Sequence, residues 1–148
     1  ISTAIIFDDL QQEKAYDYGL AYNNSKLAIL LLAFEVDRRS KASGWGINSI
    51  AVHPGVARTS LIPDGPGLDS MEGRRFSSGA FPPAEEGALS TLYAASAPQA
   101  SGGAYYGPRG RDSRGMPAVA QIPAPAQNLE AAARLWSELE RLTKTSFT

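Results

Sequence analysis

A long stretch of strong helix formers constrains the fold more than any other feature of the sequence. No glycine or proline occurs between Leu20 and Ala42, and alanine, leucine, lysine, glutamate and arginine are common there. We therefore predict a helix from about Tyr18 to Lys41. Two glycines in the segment 43–46 mark its end, because glycine is favoured just past the last helical turn.

Short apolar segments predict strands on either side of this helix. Ile1–Phe7 is predicted to be the end of a strand with its loop, and Ile47–Val52 a buried strand closed by a His-Pro-Gly turn. Gly103–Tyr106 is predicted as a short final strand. A long helix that returns to an apolar strand is the second half of a βαβ crossover, so the expected fold class is α/β.

Two more helices are predicted from their starting residues. Pro82 or Pro83 can begin a helix over Ala84–Ser96, because proline is tolerated in the first helical turn. Asn128–Thr143 is predicted as an amphipathic helix with Asn128 as its N-cap. The segments between the predicted elements, 62–83 and 107–125, are rich in glycine and proline, and we expect surface loops there, the first with room for a short helix.

The apolar run inside the long helix is too wide for a single packing face. Leu27–Phe34 is eight consecutive apolar residues, which at ~100° each go all the way round the helix axis. We expect this helix to be covered on two sides, by its sheet and by either a second subunit or chain outside this sequence. The alternative is a locally overpacked core helix. A membrane-spanning helix would need ~18 such residues.

Composition excludes several classes of function. The 148 residues, 43% hydrophobic and 20% charged, suit a single domain over 1–148. A net charge of -1 provides no basic field for nucleic acid or an anionic membrane. The absence of cysteine and the single histidine exclude a disulfide framework and make a metal site improbable. No targeting segment is visible, so we expect a cytoplasmic protein, and a first residue Ile1 suggests a start inside a longer chain.

A tyrosine and a lysine four residues apart are the candidate catalytic pair. Tyr22 and Lys26 lie in the first turns of the long helix, and this spacing puts both side chains on one face. An ammonium group favours the phenolate of a nearby phenol, which makes the phenol a better acid/base near neutral pH. The spacing alone also occurs by chance on many helices, so its context decides.

The context is a composite motif. Tyr-x-x-Ser-Lys-Leu-Ala at 22–28 is followed by the long helix, a strand and Pro-Gly-x-x-x-Thr at 54–59. This combination resembles the carboxyl-terminal half of the short-chain dehydrogenase/reductase (SDR) family, and it is far more specific than either piece. The segments 7–16, 103–108 and 135–136 resemble a retinol-dehydrogenase-like bacterial subgroup.

The resemblance implies an NAD- or NADP-dependent oxidoreductase on a Rossmann-like doubly wound parallel sheet, of which this chain is the carboxyl-terminal half. Tyr22 then matches the acid/base that interconverts a carbonyl and a secondary alcohol, and Lys26 the residue that binds the nicotinamide ribose. The loop that meets the nicotinamide carboxamide is matched by Pro54, Gly55 and Val56. The hydroxyl that holds the carboxamide or pyrophosphate is matched by Thr59. A small-molecule substrate and a homodimer or homotetramer, without nucleic acid or membrane, are also implied.

Two departures from the family pattern matter. The glycine-rich coenzyme turn, Gly-x-x-x-Gly-x-Gly, is absent from this sequence, so the residues that would distinguish NAD from NADP are not here. The family's catalytic serine has only Ser2 or Thr3 as candidates, and Thr3 occupies the usual position. Alternatively, this stretch is loop sequence beyond the true serine.

Other interpretations remain to be weighed. A non-catalytic SDR-like fragment or binding module is the main rival to the enzyme. A hydrolase lacks a Gly-x-Ser-x-Gly elbow, and His53 is expected to be packed beneath the coenzyme loop. The pairs Asp8-Asp9 and Glu85-Glu86 are interpreted as solvated charge. The cluster of Arg109, Arg111 and Arg114 with Asp112 is interpreted as a surface loop, and a contact with a phosphate or a partner is the less favoured alternative.

The segment 62–83 is a candidate substrate lid, because its family counterpart closes over the substrate. We expect it to be mobile without ligand. The apolar residues that would line a pocket on closure are Leu68, Met71, Phe76 and Phe81.

Overall fold

The computed structural model describes residues 3–110 and 114–147. They fall into two compact units, one made of the residues up to Ala51 with those from Ile122 onward, the other of Val52–Gln121. The single domain over 1–148 stays a prediction. Of the residues singled out in the sequence, Ser2, Arg111 and Asp112 lie outside the described residues.

Helix α1, Tyr18–Ser43, confirms the predicted long helix. The Asp17 side chain caps its first turn by accepting the Leu20 N–H at 2.7 Å. Gly44 ends it in the left-handed conformation, with φ 69°, and donates its N–H to the Ser40 carbonyl. The predicted glycine stop is therefore confirmed, and its physical reason is the positive φ.

One face of α1 is buried and is polar at both ends. Asn24, Leu27, Leu31 and Glu35 are spaced three and four apart, and each is less than 5% exposed. Asn24 accepts the N–H of Ile6 at 3.3 Å, which fixes the opening segment against the helix. The apolar residues therefore hold the middle of this face, and hydrogen-bonding groups hold its ends.

The closing helix α5, Leu129–Thr143, packs on α1 and is capped as predicted. The Asn128 side chain accepts the Ala131 N–H at 3.0 Å. Leu135 and Trp136 are buried. Part of the second cover expected for α1 is therefore supplied by this chain itself, and the preceding 3-10 helix, Ala124–Gln127, also contacts α1.

Both tryptophans meet beside α5. The ring centroids of Trp45 and Trp136 are 6.4 Å apart, and Phe147 lies 5.8 Å from Trp136. The Arg39 guanidinium lies 4.3 Å from the Trp136 ring centroid. The same guanidinium donates from Nε to the buried Glu35 carboxylate at 2.6 Å. Arg39 thus joins the polar end of the α1 face to the aromatic cluster.

The second unit contains a small sheet in the order β1-β2-β3. The strands are β1 (Ala51–Val52), β2 (Tyr105–Pro108) and β3 (Pro117–Val119). The first residue of β1, Ala51, is the last residue of the opening segment of the other unit. Strands β2 and β3 are antiparallel, with Gly107 opposite Ala118. The final strand predicted from the sequence is therefore followed by another, inside a stretch that we expected to be loop.

Helices α2, Leu61–Asp64, α3, Met71–Ser77, and α4, Ala84–Ser96, complete the second unit. The α4 prediction is confirmed, with Pro83 as the N-cap residue. The segment 62–83 holds two short helices rather than the single one allowed for. Ser70 makes α3 possible, because its hydroxyl caps the helix by accepting the Gly73 N–H at 2.8 Å.

The strand end and loop predicted for Ile1–Phe7 fall partly on Ile1 and Ser2, which lie outside the described residues. Residues 3–6 form no strand, and a 3-10 helix covers Phe7–Asp9. A strand needs a hydrogen-bonded neighbour, and none pairs with this segment among the described residues. Likewise, only the last two residues of the predicted strand Ile47–Val52 are paired.

Asp9 corrects the interpretation of the Asp8-Asp9 pair as solvated charge. Its carboxylate accepts the N–H groups of Glu13 at 2.8 Å, Lys14 at 3.2 Å and Ala15 at 3.4 Å. The side chain therefore organises the turn ahead of α1 by satisfying backbone donors that the turn leaves unpaired.

Candidate functional site

The predicted catalytic pair lies together on the first turns of α1. The Lys26 ammonium nitrogen is 5.2 Å from the centroid of the Tyr22 ring, and 52% of Tyr22 is exposed. The four-residue spacing puts both side chains on one helix face. The phenol is thus accessible, and a cation lies beside its ring.

The three polar residues between Tyr22 and Lys26 make hydrogen bonds to the backbone. Asn24 is buried and holds Ile6, as described above. Asn23 donates from Nδ2 to the Gly19 carbonyl at 2.9 Å, and the Ser25 hydroxyl donates to the Tyr22 carbonyl at 2.8 Å. Sequence reasoning missed the role of Asn24, whose signal is its position three residues before Leu27 and seven before Leu31, on the same buried helix face.

Thr3 lies elsewhere in the first unit. It lines a groove of about 320 Å³ together with Leu27 and Leu31 of α1 and Arg134 of α5. A second groove, of about 280 Å³, runs beside α1 and is lined by Ser25 and Ile29 among others. Tyr22 and Lys26 line neither of these two grooves. The structure therefore does not bring Thr3 and Tyr22 to a common groove here, and a catalytic role for Thr3 stays a prediction.

The predicted coenzyme loop lies in the second unit and is tightly supported. Gly55 has φ 71°, a conformation that favours glycine, and it donates its N–H to His53 Nδ1 at 3.2 Å. Helix α4 approaches the loop at Gly87, where an added Cβ would lie 2.7 Å from the Ala57 Cβ. Val56, at the tip, is 41% exposed. The loop is thus fixed from below and open at its tip.

His53 is packed beneath this loop, as expected from the sequence. Its backbone N–H donates to the Tyr106 carbonyl at 2.9 Å, and its ring centroid is 5.1 Å from that of Tyr105. Burial lowers the pKa of His53 and raises that of the Tyr105 phenol. Both groups are therefore neutral at neutral pH.

Thr59 is exposed at the start of α2. Its hydroxyl oxygen accepts the Leu61 N–H at 3.4 Å, although the N-cap residue of α2 is Ser60. The hydroxyl proton is still available for donation. Thr59 can therefore serve the helix and a ligand together.

The four apolar residues of the candidate lid do not share one environment. Phe81 is 4% exposed, and the Arg75 guanidinium lies 5.1 Å from its ring centroid. Leu68 and Met71 are exposed, and Phe76 is half-buried. Phe81 therefore belongs to the core of its unit, whereas the other three are not buried.

Each unit offers its own set of polar groups. The first unit has an exposed phenol with an ammonium beside its ring, and the second unit has the left-handed Gly55 turn and the exposed Thr59. The described part of the chain contains no cluster of three or more acidic or histidine side chains that could hold a metal ion. Nor does any helix in the described ranges have the length and apolarity to cross a membrane.

Curated relatives of this chain are named dehydrogenases. The chain is 37% identical to retinol dehydrogenase 13 of Homo sapiens over 149 aligned residues, covering 93% of this chain and 41% of the relative. It is 36% identical to polyprenol dehydrogenase of Mus musculus, covering 91% of this chain and 38% of the relative. No protein-family model matches the chain.

A solved structure supports the fold. The crystal structure of an uncharacterised protein from Mycobacterium paratuberculosis superposes with a TM-score of 0.74 at 33% identity, covering 97% of this chain and 46% of that one. The fold is α/β and corresponds to a fragment of a Rossmann-like domain. The chain belongs to the short-chain dehydrogenase/reductase family, and it spans less than half the length of the relatives described here.

Proposed function

We propose that this protein is an NAD- or NADP-dependent oxidoreductase that interconverts a carbonyl compound and an alcohol. The observation that carries the proposal is the Tyr22–Lys26 pair, with the ammonium 5.2 Å from the ring of an exposed phenol. The relatives are named dehydrogenases, which favours an enzyme over a non-catalytic binding module.

In this mechanism the chain's residues move one proton and hold the reactants. The bound coenzyme supplies or accepts the hydride. Tyr22 donates its phenolic proton to the carbonyl oxygen during reduction, and it takes that proton back during oxidation. Lys26 places its ammonium beside the Tyr22 ring and binds ribose hydroxyls. Pro54, Gly55 and Val56 orient the carboxamide through their backbone, and Thr59 adds a hydroxyl donor.

For the substrate we propose an apolar alcohol or aldehyde. The names of the relatives specify retinol and polyprenol, and the candidate lid carries the exposed residues Leu68 and Met71. The test is a turnover assay with either reduced coenzyme and a panel of apolar aldehydes, using the protein at its natural full length and a variant at Tyr22. Absence of coenzyme oxidation with every aldehyde would contradict the proposal. The cytoplasmic location expected from the sequence stays a prediction.

Closure of the segment 62–83 predicts protection from trypsin. Arg74 and Arg75 in α3 are exposed and are trypsin sites within this segment. Coenzyme with product, each at ten times its dissociation constant, is expected to slow cleavage there by about tenfold, because ligand that binds the closed state lowers the population of the open state. Cleavage at the exposed Arg141 of α5 serves as the control and is expected to be unchanged. Equal rates at Arg74 with and without ligand would exclude a lid.

We also propose a homodimer or homotetramer that uses the outer side of α1. Ile29, near the middle of this helix, is 57% exposed. Burial of an apolar side chain of this size in a subunit interface would stabilise the oligomer. Ile29→Lys is expected to shift the protein to a monomer in sedimentation at micromolar concentration. Leu92→Lys on α4, also exposed, is the matched control and is expected to keep the oligomer. A monomeric wild-type protein would remove the proposal.

A further inference from the structure

The His53 side chain is half-buried and contacts strand β2. Its ring centroid is 5.1 Å from that of Tyr105, and the His53 backbone N–H donates to the Tyr106 carbonyl at 2.9 Å. On the Nε2 side, β2 comes so close that a Cβ at Gly107 would lie 1.9 Å from that nitrogen. No side chain other than hydrogen fits there. The close approach of β2 therefore restricts the imidazole on its Nε2 side, and its Nδ1 accepts the Gly55 N–H at 3.2 Å.

This contact fixes the backbone where the turn needs it most. Gly55 has a left-handed conformation, which is entropically costly to hold because glycine samples many others. A hydrogen bond to its N–H selects that conformation in advance of any ligand. The next residue, Val56, is exposed at the tip of the loop.

We infer that His53 is a positioning residue, which presets the Pro54–Val56 backbone for a carboxamide by accepting the Gly55 N–H at Nδ1. This inference rests on the proposed function for its ligand, but the contact itself belongs to the chain. The neutral imidazole needed for acceptance is favoured by burial, which lowers the pKa of His53. The proton then lies on Nε2, facing Gly107.

Two substitutions separate the acceptor from the ring. His53→Phe keeps an aromatic ring against Tyr105 and removes the acceptor. His53→Asn removes the ring but places its Oδ1 near the position of Nδ1. In the full-length protein, His53→Phe is expected to raise the KM for coenzyme about tenfold, the equivalent of about 1.4 kcal/mol, with kcat changed by less than about threefold. His53→Asn is expected to stay near wild type in both.

Amide hydrogen exchange at Gly55 gives a readout that needs no turnover. Exchange of the Gly55 N–H is expected to accelerate about tenfold in His53→Phe and little in His53→Asn, because only the first loses the acceptor. Gly107→Ala displaces the imidazole without changing its chemistry, so it is expected to reproduce the His53→Phe result. It also serves in place of His53→Phe if that variant does not fold.

The outcomes distinguish this inference from the proposed function. Unchanged Gly55 exchange and unchanged coenzyme KM in a folded His53→Phe variant would overturn the inference. The proposed function would still stand if the wild-type protein showed turnover. Equal impairment of the Phe and Asn variants would also overturn it, since ring packing would then be responsible. A wild-type protein without turnover would overturn the proposed function, and Gly55 exchange would still decide whether His53 presets the loop.

Discussion

Replacing Tyr22 with Phe in the full-length protein is expected to lower turnover by at least ~100-fold, the range of general acid/base contributions. The substitution keeps the ring beside Lys26 and removes only the hydroxyl, so the carbonyl oxygen loses its proton donor. Binding of the coenzyme is expected to change little. The measurement is steady-state turnover with an apolar aldehyde, together with coenzyme affinity.

Tyr18 provides a matched control. It lies one turn earlier on the same helix, is 73% exposed, and has no lysine four residues later. Tyr18→Phe is expected to leave turnover within a factor of about two, since surface substitutions away from a site have small effects. Near wild-type turnover in Tyr22→Phe, or a similar loss in both variants, would contradict the proposed acid/base role.

The second large effect concerns the free energy of unfolding. Glu35 is 1% exposed, and its carboxylate accepts three charge-assisted hydrogen bonds, from Arg38 Nε and Nη2 at 2.8 and 2.7 Å and from Arg39 Nε at 2.6 Å. Glu35→Ala is expected to lower the free energy of unfolding by about 3 kcal/mol, because it removes three charge-assisted hydrogen bonds and leaves a space in the core. Urea unfolding followed by tryptophan fluorescence measures it.

The exposed pair Glu138 and Arg141 on α5 is the control. Its oxygen and nitrogen are 2.9 Å apart, similar to the buried group, but both side chains are substantially exposed. Glu138→Ala is expected to cost less than about 0.5 kcal/mol, since solvent screens the pair. Equal losses at the two positions would mean that burial does not strengthen the Glu35 contacts.

Acid should remove the contribution of Glu35. Hydrogen bonds from Arg38 hold the pKa of the Glu35 carboxyl below its ordinary value of 4.5, and those from Arg39 act in the same direction, while burial opposes them. The folded state therefore binds a proton less readily than the unfolded state. The stabilisation is fully present above pH 4.5 and is lost as the pH falls through the folded pKa. The advantage of wild type over Glu35→Gln should shrink in that range, and a pH-independent difference would contradict this linkage.

The sequence predicts elements whose causes are local. Helix α1 follows from residue propensity and a glycine stop, and α5 from Asn128 and its periodicity. Strand β3 was not predicted, because Pro117-Ala118-Val119 has no strand pattern of its own and is ordered by pairing with β2.

The same distinction holds within the candidate site. Tyr22 and Lys26 are brought together by helical periodicity, so their proximity could be predicted from spacing. The fit of His53 against Gly107 joins residues far apart in the chain, and no local pattern encodes that close approach. Thr3 was assigned by family position alone, and position in a sequence carries no information about which groove a side chain lines.

The location of the tryptophans limits what intrinsic fluorescence can report. The chain has two, Trp45 and Trp136, and both belong to the aromatic cluster of the first unit. Their emission therefore follows the loss of structure around α1 and α5 and is blind to events confined to residues 52–121, whereas circular dichroism also registers α4. Superimposable denaturation curves from the two signals would show that both units melt in a single cooperative transition, and divergent curves would assign each transition to its unit.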